Sequence, residues 1–171
     1  MNYPITAIGI LLNKDCILAR YMPLIPLKEK LIAGLLHLGC DTKEKCTLLT
    51  DEQLLSIGIP NKEMINLFRR FLVMYDVNPQ KFKDIDSLFL SVGEAKAYRE
   101  LYQLPGIKAT RAELYYKAGY TNLFEIASAT AEEIIEKTSQ VIAAESSNNK
   151  APLLKETRTH VAVARAFTSS I

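Results

Sequence analysis

The sequence is poor in several residues that mark particular classes of protein. It has no tryptophan, only seven glycines, and three cysteines (Cys16, Cys40 and Cys46) among 171 residues. An odd and sparse set of cysteines argues against a disulfide-stabilised secreted scaffold, so we expect a cytoplasmic protein in a reducing compartment. The apolar run from Ile5 to Leu12 is too short to cross a bilayer before polar residues interrupt it. We therefore expect no membrane contact.

Charge and catalytic motifs are equally sparse. The net charge of +2 is close to neutral and does not by itself indicate a nucleic-acid-binding protein. The sequence contains no phosphate-binding loop, no dinucleotide fingerprint and no serine elbow. Two histidines are present, and no pattern places either of them beside a nucleophile. The sequence therefore predicts neither an enzyme nor a bound cofactor.

His37, Cys40 and Cys46 are the residues that would serve best as metal ligands. His37 and Cys40 lie three residues apart near a predicted helix end, a spacing that lets both face one ion. A closed zinc site needs four ligands and usually contains a paired C-x-x-C spacing, which is missing here. We therefore expect no metal and interpret the cysteines as small buried apolar residues.

What the sequence does contain is apolar residues at helical spacing along nearly its whole length, without a convincing alternating strand. The pattern predicts an all-α fold. Thr50 is expected to cap a helix, with the side chain of Gln53 reaching back to it, while Asn78-Pro79 and the segment 146–152 are expected to break the chain. The other predicted helices cover residues 5–21, 27–38, 43–49, 61–75, 84–90, 93–103, 109–118, 123–127, 131–144 and 153–167.

The two halves of the chain share their turn-forming residues. A shift of 80 residues aligns 24–57 with 104–137 without a gap, with identities at positions 24, 28, 39, 50 and 52. Both halves read as a proline or glycine hairpin, a helix, a glycine corner, a short helix and a threonine-capped helix. The sequence therefore predicts two tandem units, residues 1–80 and 81–171, packed into one compact helical body. The first is the degenerate copy, because Pro26 replaces the hairpin glycine.

The run Leu104-Pro105-Gly106-Ile107, followed by Ala112 and Leu114, resembles the helix-hairpin-helix motif of SAM-like domains. The continuation through 117–123 and 129–134 looks like an uncharacterised bacterial helix-hairpin-helix family and is similar to the C-terminal domain of the bacterial RNA polymerase alpha subunit. The resemblance covers about 40 residues. It implies that Gly106 is the hairpin glycine and that backbone N–H groups of the turn face a phosphate. Lys108 stands where the motif has its second glycine.

The cations that follow this turn are the main candidates for a binding role. A cation at a helix start is unfavourable against the helix dipole, and a bound anion would offset that cost. The alternative is that these side chains are solvated surface charge. The candidate nucleic-acid contact consists of Gly106, Ile107, Lys108, Thr110 and Arg111, supported by Arg158 and Arg165 on the last helix. The nearby tyrosines (Tyr98, Tyr102, Tyr115, Tyr116 and Tyr120) are interpreted as core residues rather than base-stacking ones.

Two functions from different classes follow. The first is a non-enzymatic, sequence-nonspecific nucleic-acid-binding module that uses the hairpin backbone and basic side chains on DNA or RNA phosphates. The second is a protein-interaction or structural module, which contacts a partner protein or a second copy and binds no nucleic acid.

Overall fold

The computed structural model describes residues 4–13, 19–74 and 79–169, and this part of the chain is mostly helical. It contains no strand among these residues, although an isolated antiparallel bridge joins Pro4 and Thr42. The all-α prediction is confirmed. None of the helices in the described ranges combines the length and apolar character that a bilayer crossing requires. The chain divides into two compact units, one up to residue 76 and one from residue 77.

The described part of the first unit is built from short helical elements around an apolar core. Tyr21 packs edge-on against Phe71, with 5.7 Å between ring centroids. Its elements are α1 (Ile5–Leu11), a 3₁₀ helix (Ala19–Leu27), α2 (Lys28–His37), α3 (Lys43–Thr47), α4 (Asp51–Ser56) and α5 (Lys62–Met74). The most deeply buried side chains include Ile8, Leu11, Leu24, Leu35, Leu54, Ile65, Phe68 and Phe71.

The second unit consists of α6 (Pro79–Asp86), α7 (Val92–Leu101), α8 (Ala109–Lys117), α9 (Leu123–Ser128), α10 (Ala131–Ala144) and α11 (Leu154–Thr168). The last helix, α11, packs on α9 and α10, and α8 packs against α7 and α10. The core is formed by fully buried side chains from every helix after α6, among them Leu101, Ala112, Tyr115, Ile126, Ile134 and Val163. Because α11 lies against α9 and α10, it carries residues that reach several neighbouring loops.

Side-chain caps explain where several helices begin. The Thr50 hydroxyl accepts a hydrogen bond from the N–H of Gln53, and the Gln53 side chain accepts one from the N–H of Thr50. This reciprocal capping box was predicted from the sequence and is confirmed. The same arrangement opens α7 at Ser91 and α10 at Thr130. Each box satisfies backbone N–H groups that a helix cannot pair internally.

The predicted helix over residues 5–21 is wrong. The helix α1 ends at Leu11, because Leu12 leaves helical geometry with ψ 61° just before the polar run that starts at Asn13. Residues 14–18, including Cys16, lie outside the described residues. Pro23 and Pro26, which follow the predicted helix in sequence, lie inside the 3₁₀ helix Ala19–Leu27. The proline ring fixes φ at about −65°, which lies within the range of a 3₁₀ helix.

The predicted helix over 84–90 is also misplaced. The corresponding helix α6 begins at Pro79 and ends at Asp86. Pro79 was expected to break the chain, whereas it opens a helix, a position where its fixed φ and missing N–H are no handicap. The helix predicted over 93–103 ends two residues earlier, at Leu101. The remaining predicted helices agree with the structure to within about two residues at their ends, the usual uncertainty of helix boundaries.

The glycine corners of the two units have the same local geometry. Gly39 and Gly119 adopt positive φ, 74° and 91°. The N–H of Gly39 donates to the carbonyl of Leu36 at 2.9 Å, and the N–H of Gly119 donates to the carbonyl of Tyr116 at 3.0 Å. Three residues further on, Thr42 caps α3 and Asn122 caps α9. Positions 80 residues apart therefore form equivalent corners, each ending a helix with a left-handed glycine.

Candidate functional site

The turn between α7 and α8, residues 102–108 and hereafter the hairpin turn, is held by apolar anchors on both sides of its glycine. Gly106 has φ 76°, a conformation that favours glycine. No heavy atom lies within 4 Å of where a Cβ would stand, so the backbone angle and not crowding explains the glycine. Leu104 and Ile107 are fully buried. The buried side chains of Leu104 and Ile107 therefore anchor the turn, while Gly106 between them is exposed.

A buried histidine of α11 fixes the same turn. His160 is 1% exposed, and its Nε2 lies 2.9 Å from the carbonyl oxygen of Pro105. Because a carbonyl only accepts, Nε2 carries the proton. In the neutral ring Nδ1 is then the acceptor, and the Tyr115 hydroxyl donates to it at 2.8 Å. Burial lowers the pKa of His160, and this outweighs the opposing influence of the Pro105 hydrogen bond.

Arg111 joins α8 to α11 as well. Its Nε donates to Oε1 of Glu156 at 3.0 Å, and Nη2 donates to Oε2 of the same carboxylate at 3.3 Å. The remaining nitrogen, Nη1, donates to the carbonyl oxygen of Lys150 at 2.9 Å. A two-pronged arginine–carboxylate pair of this kind is geometrically restrictive. The guanidinium is therefore engaged inside the unit, with every nitrogen donating.

The first turn of α8 is, in contrast, open. Lys108 occupies the N-cap position without a side-chain cap, and no acidic residue stands in the first turn. The N–H groups of Lys108, Ala109 and Thr110 have no acceptor among the described residues. The side chains of Lys108 and Thr110 are exposed, with no hydrogen bond or ion pair to any described residue. Three backbone N–H donors and the ammonium of Lys108 therefore lie side by side at the start of α8, where they can bind an anion.

The neighbouring helices of this unit begin differently. Ser91, Asn122 and Thr130 accept hydrogen bonds from backbone N–H groups at the starts of α7, α9 and α10. At the start of α11, the carboxylate of Glu156 accepts the N–H of Leu153. Among α7 to α11, only α8 has neither a side-chain cap nor a first-turn carboxylate. Among these five helices, α8 therefore has the positive dipole end that is least neutralised by nearby side chains.

Arg158 and Arg165 lie in a separate groove between the start of α10 and one face of α11, whose lining includes no residue of the hairpin turn. Arg165 donates from Nε to the carbonyl of Ala127 at 2.9 Å, which ties α11 to the end of α9. Arg158 contacts the carboxylate of Glu132 at 3.4 Å. The structure thus brings Gly106, Ile107, Lys108 and Thr110 together, engages Arg111 internally, and places the two other arginines in their own groove.

The tyrosines belong to the core. Tyr98, Tyr102, Tyr115 and Tyr120 are each at most 4% exposed, and Tyr116 is half-buried. Neighbouring rings contact one another, with centroids 6.4 Å apart for both Tyr98–Tyr102 and Tyr98–Tyr116. The core interpretation is confirmed for the four buried rings. Their faces are not available to stack on nucleic-acid bases.

The cysteines of the first unit are buried as well. Cys40 and Cys46 are 4% and 1% exposed, as expected for small apolar residues, while Cys16 lies outside the described residues. Burial raises the pKa of the Cys46 thiol to about 12, and the neighbouring Cys40 raises it further. Within the described ranges, no group of three or more His, Cys, Asp or Glu side chains is arranged to hold a metal ion.

His160 and Glu156 are the residues of the hairpin environment that sequence reasoning missed. They contact partners 55 and 45 positions away along the chain, and no local pattern encodes such a pairing. A partial signal existed at Glu156, since a glutamate in the first turn of a helix predicts a capping role.

Comparison of the chain with known protein families, with curated proteins and with solved structures found no match.

Proposed function

We propose that the second unit is a non-enzymatic module that binds the phosphate backbone of nucleic acid without sequence preference. The observation that carries the proposal is the open start of α8, where three N–H groups without an acceptor among the described residues lie beside the exposed ammonium of Lys108. Backbone donors at a helix start, together with the helix dipole, favour a phosphate. Phosphate contacts of this kind carry no information about base sequence.

The residues of the predicted contact take different parts in this proposal. Gly106 and Ile107 shape the turn, and Lys108 and Thr110 contact the phosphate. Arg111 holds α8 against α11 through Glu156 and so positions the open helix start. Arg158 and Arg165 form a separate basic groove.

We also infer that the two units are copies of one helix-hairpin-helix-like arrangement, with domains close to residues 1–80 and 81–171. The equivalent glycine corners at Gly39 and Gly119 support this inference. The capping boxes at Thr50 and Thr130, also 80 residues apart, support it too. The first unit differs at the hairpin, where Pro26 lies in a 3₁₀ helix, so the proposed phosphate contact is assigned to the second unit only.

Charge reversal at Lys108 tests the function. Lys108→Glu should weaken binding to a labelled duplex of about 20 base pairs by about tenfold or more at low salt, because it removes an ammonium and introduces a repelling carboxylate. The matched control is Lys83→Glu, at another exposed lysine of the same unit without a partner among the described residues. It changes the net charge equally and should cost much less affinity. Circular dichroism checks that both variants stay folded.

Equal losses for the two variants would contradict a contact at α8. Arg111→Glu is unsuitable as a test, since it would place two carboxylates against each other and disturb the turn itself. Amide NMR adds a direct readout for the groups that mutation cannot remove. Duplex addition should shift the backbone signals of Lys108, Ala109 and Thr110.

Protein interaction is the second candidate function, and a specific apolar surface favours it. Phe89, between α6 and α7, is fully exposed, and Val92, the first residue of α7, is 91% exposed. Exposed apolar side chains that form a contiguous patch are typical of interaction surfaces. This function predicts either a molecular mass that rises with protein concentration or a co-purifying protein. Phe89→Ser should abolish that association, and Lys108→Glu should leave it unchanged. A constant monomeric mass without a co-purifying protein would contradict it.

A further inference from the structure

The groove that contains Arg158 and Arg165 has its own shape and chemistry. It is an open groove of about 270 Å³ between the first turn of α10 and one face of α11. Val161 and Ala131, both 6% exposed, contribute apolar floor, while the two arginines and Glu132 contribute charge. Two cations therefore face one carboxylate in a small space.

We propose that this groove is a phosphate-binding site, distinct from the open start of α8, in which Arg158 and Arg165 hold the phosphate oxygens. The ligand class is a phosphate group, either free or part of a nucleic-acid backbone. The proposal goes beyond the function assigned to the hairpin turn and does not depend on it.

Arg165 is the preorganised member of the pair. Its Nε and Nη2 donate to the carbonyl oxygens of Ala127 and Ala129, at 2.9 and 3.4 Å. These bonds fix the plane of the guanidinium against the end of α9 and leave Nη1 without an acceptor among the described residues. A guanidinium held in place loses little conformational entropy when it binds an anion.

Arg158 is the adjustable member. Its contact with Glu132 is 3.4 Å long, and both side chains are about two-thirds exposed. Exposed ion pairs contribute little to stability, so a phosphate group can displace Glu132 from Arg158 at small cost. Arg158 and Arg165 are separated by two helical turns, about 10.5 Å of rise, which places both on the same face of α11. Their long side chains thus flank the groove from its two ends.

The start of α10 adds to the positive potential of the groove. Ala131 and Glu132 both line it, and their N–H groups have no acceptor within the described part of the chain. The helix dipole of α10 points its positive end to the same place. A volume of about 270 Å³ lies at the small end for ligand sites, which suits one phosphate group better than a larger molecule.

Titration of the full chain with inorganic phosphate, followed by amide NMR at constant ionic strength, tests the site. Phosphate should shift the signals of Ala131 and Glu132, while chloride at equal ionic strength should not. Arg158→Gln should weaken phosphate binding by about tenfold, because it removes a charged donor. Glu132→Gln should strengthen binding a few-fold by removing the competing carboxylate.

Arg99→Gln is the matched control, since Arg99 is also an exposed arginine in an ion pair, with Asp86. It should bind phosphate like the wild type. Absence of shifts at Ala131 and Glu132, or wild-type affinity in Arg158→Gln, would overturn the proposal.

A second arm identifies the source of the phosphate. If an oligonucleotide without terminal phosphates shifts the same amides and competes with inorganic phosphate, the groove takes backbone phosphate. If it does neither, the ligand is free phosphate, and both results support the site. Lys108→Glu should leave phosphate binding in the groove intact, so failure of the hairpin function and failure of this site are distinguishable.

Discussion

His160 connects three parts of the second unit through one imidazole ring. It belongs to α11, donates to the Pro105 carbonyl in the hairpin turn and accepts from the Tyr115 hydroxyl of α8. The ring is 1% exposed, and removal of His160 would leave the buried Tyr115 hydroxyl and the part-buried Pro105 carbonyl without this partner. Burial favours the neutral ring, because the charged form would lose its hydration.

This histidine predicts a loss of stability in mild acid. The pKa of His160 is lowered by burial in the folded state, whereas in the unfolded state it lies near 6.5. Below pH 6.5 the unfolded chain therefore binds more protons than the folded chain, and the free energy of unfolding falls as pH falls. We expect this loss to begin at about pH 6.5, the unfolded-state pKa, and to grow as the pH falls further. Urea denaturation at several pH values measures it.

Comparison of two variants isolates the contribution of His160 from that of carboxylates. His160→Gln should be less stable than the wild type near neutral pH and should lose less further stability on acidification. His37→Gln, at the end of α2, controls for the removal of a histidine as such. If the two variants lose stability equally on acidification, the buried ring is not responsible.

At the scale of elements, close approach between helices restricts side-chain size. Gly34 lies in α2, and a Cβ added there would stand 2.5 Å from the Cβ of Ile57, in the turn that follows α4. Gly34→Ala should therefore destabilise the first unit by about 1–2 kcal/mol, although alanine is the better helix former. Gly93→Ala in α7 meets no atom within 4 Å and should stabilise by about 0.5 kcal/mol. Thermal unfolding followed by circular dichroism compares both with the wild type; a stabilising Gly34→Ala would contradict the packing.

Local signals explain which elements could be predicted from the sequence. The cap at Thr50 and the corners at Gly39 and Gly119 depend only on residues within five positions along the chain. The local sequence is therefore sufficient to predict them. The end of α1 at Leu11 was missed, because apolar spacing continues past the point where the backbone leaves the helix. Pro79 was missed as a helix start for a related reason, since proline serves both as a breaker and as a first residue.

The candidate site was predictable only in part. The glycine and the exposed lysine of the hairpin turn are two positions apart in sequence, so their proximity followed from the motif. The engagement of Arg111 by Glu156 was not predictable, because the two residues meet only when α11 packs beside α8. The same holds for the groove between Arg158 and the start of α10, 26 residues earlier. Tertiary packing thus engages Arg111 internally and places Arg158 and Arg165 in a separate groove.

At the scale of the whole molecule, a net charge of +2 supplies little long-range attraction for nucleic acid. The proposed binding then rests on a few local phosphate contacts, which the proposed function places at the start of α8. Few contacts predict modest affinity and a shallow dependence on salt compared with strongly basic proteins. They also predict little discrimination between base sequences.

The most direct test of this account is fluorescence anisotropy of the full chain with labelled double-stranded DNA, single-stranded DNA and RNA, at several salt concentrations. The account predicts micromolar binding to at least one of them at low salt. The logarithm of affinity should fall with the logarithm of salt concentration with a slope between about −1 and −3, as for about one to three neutralised phosphates. Absence of binding to all three at low salt would contradict the phosphate-binding function.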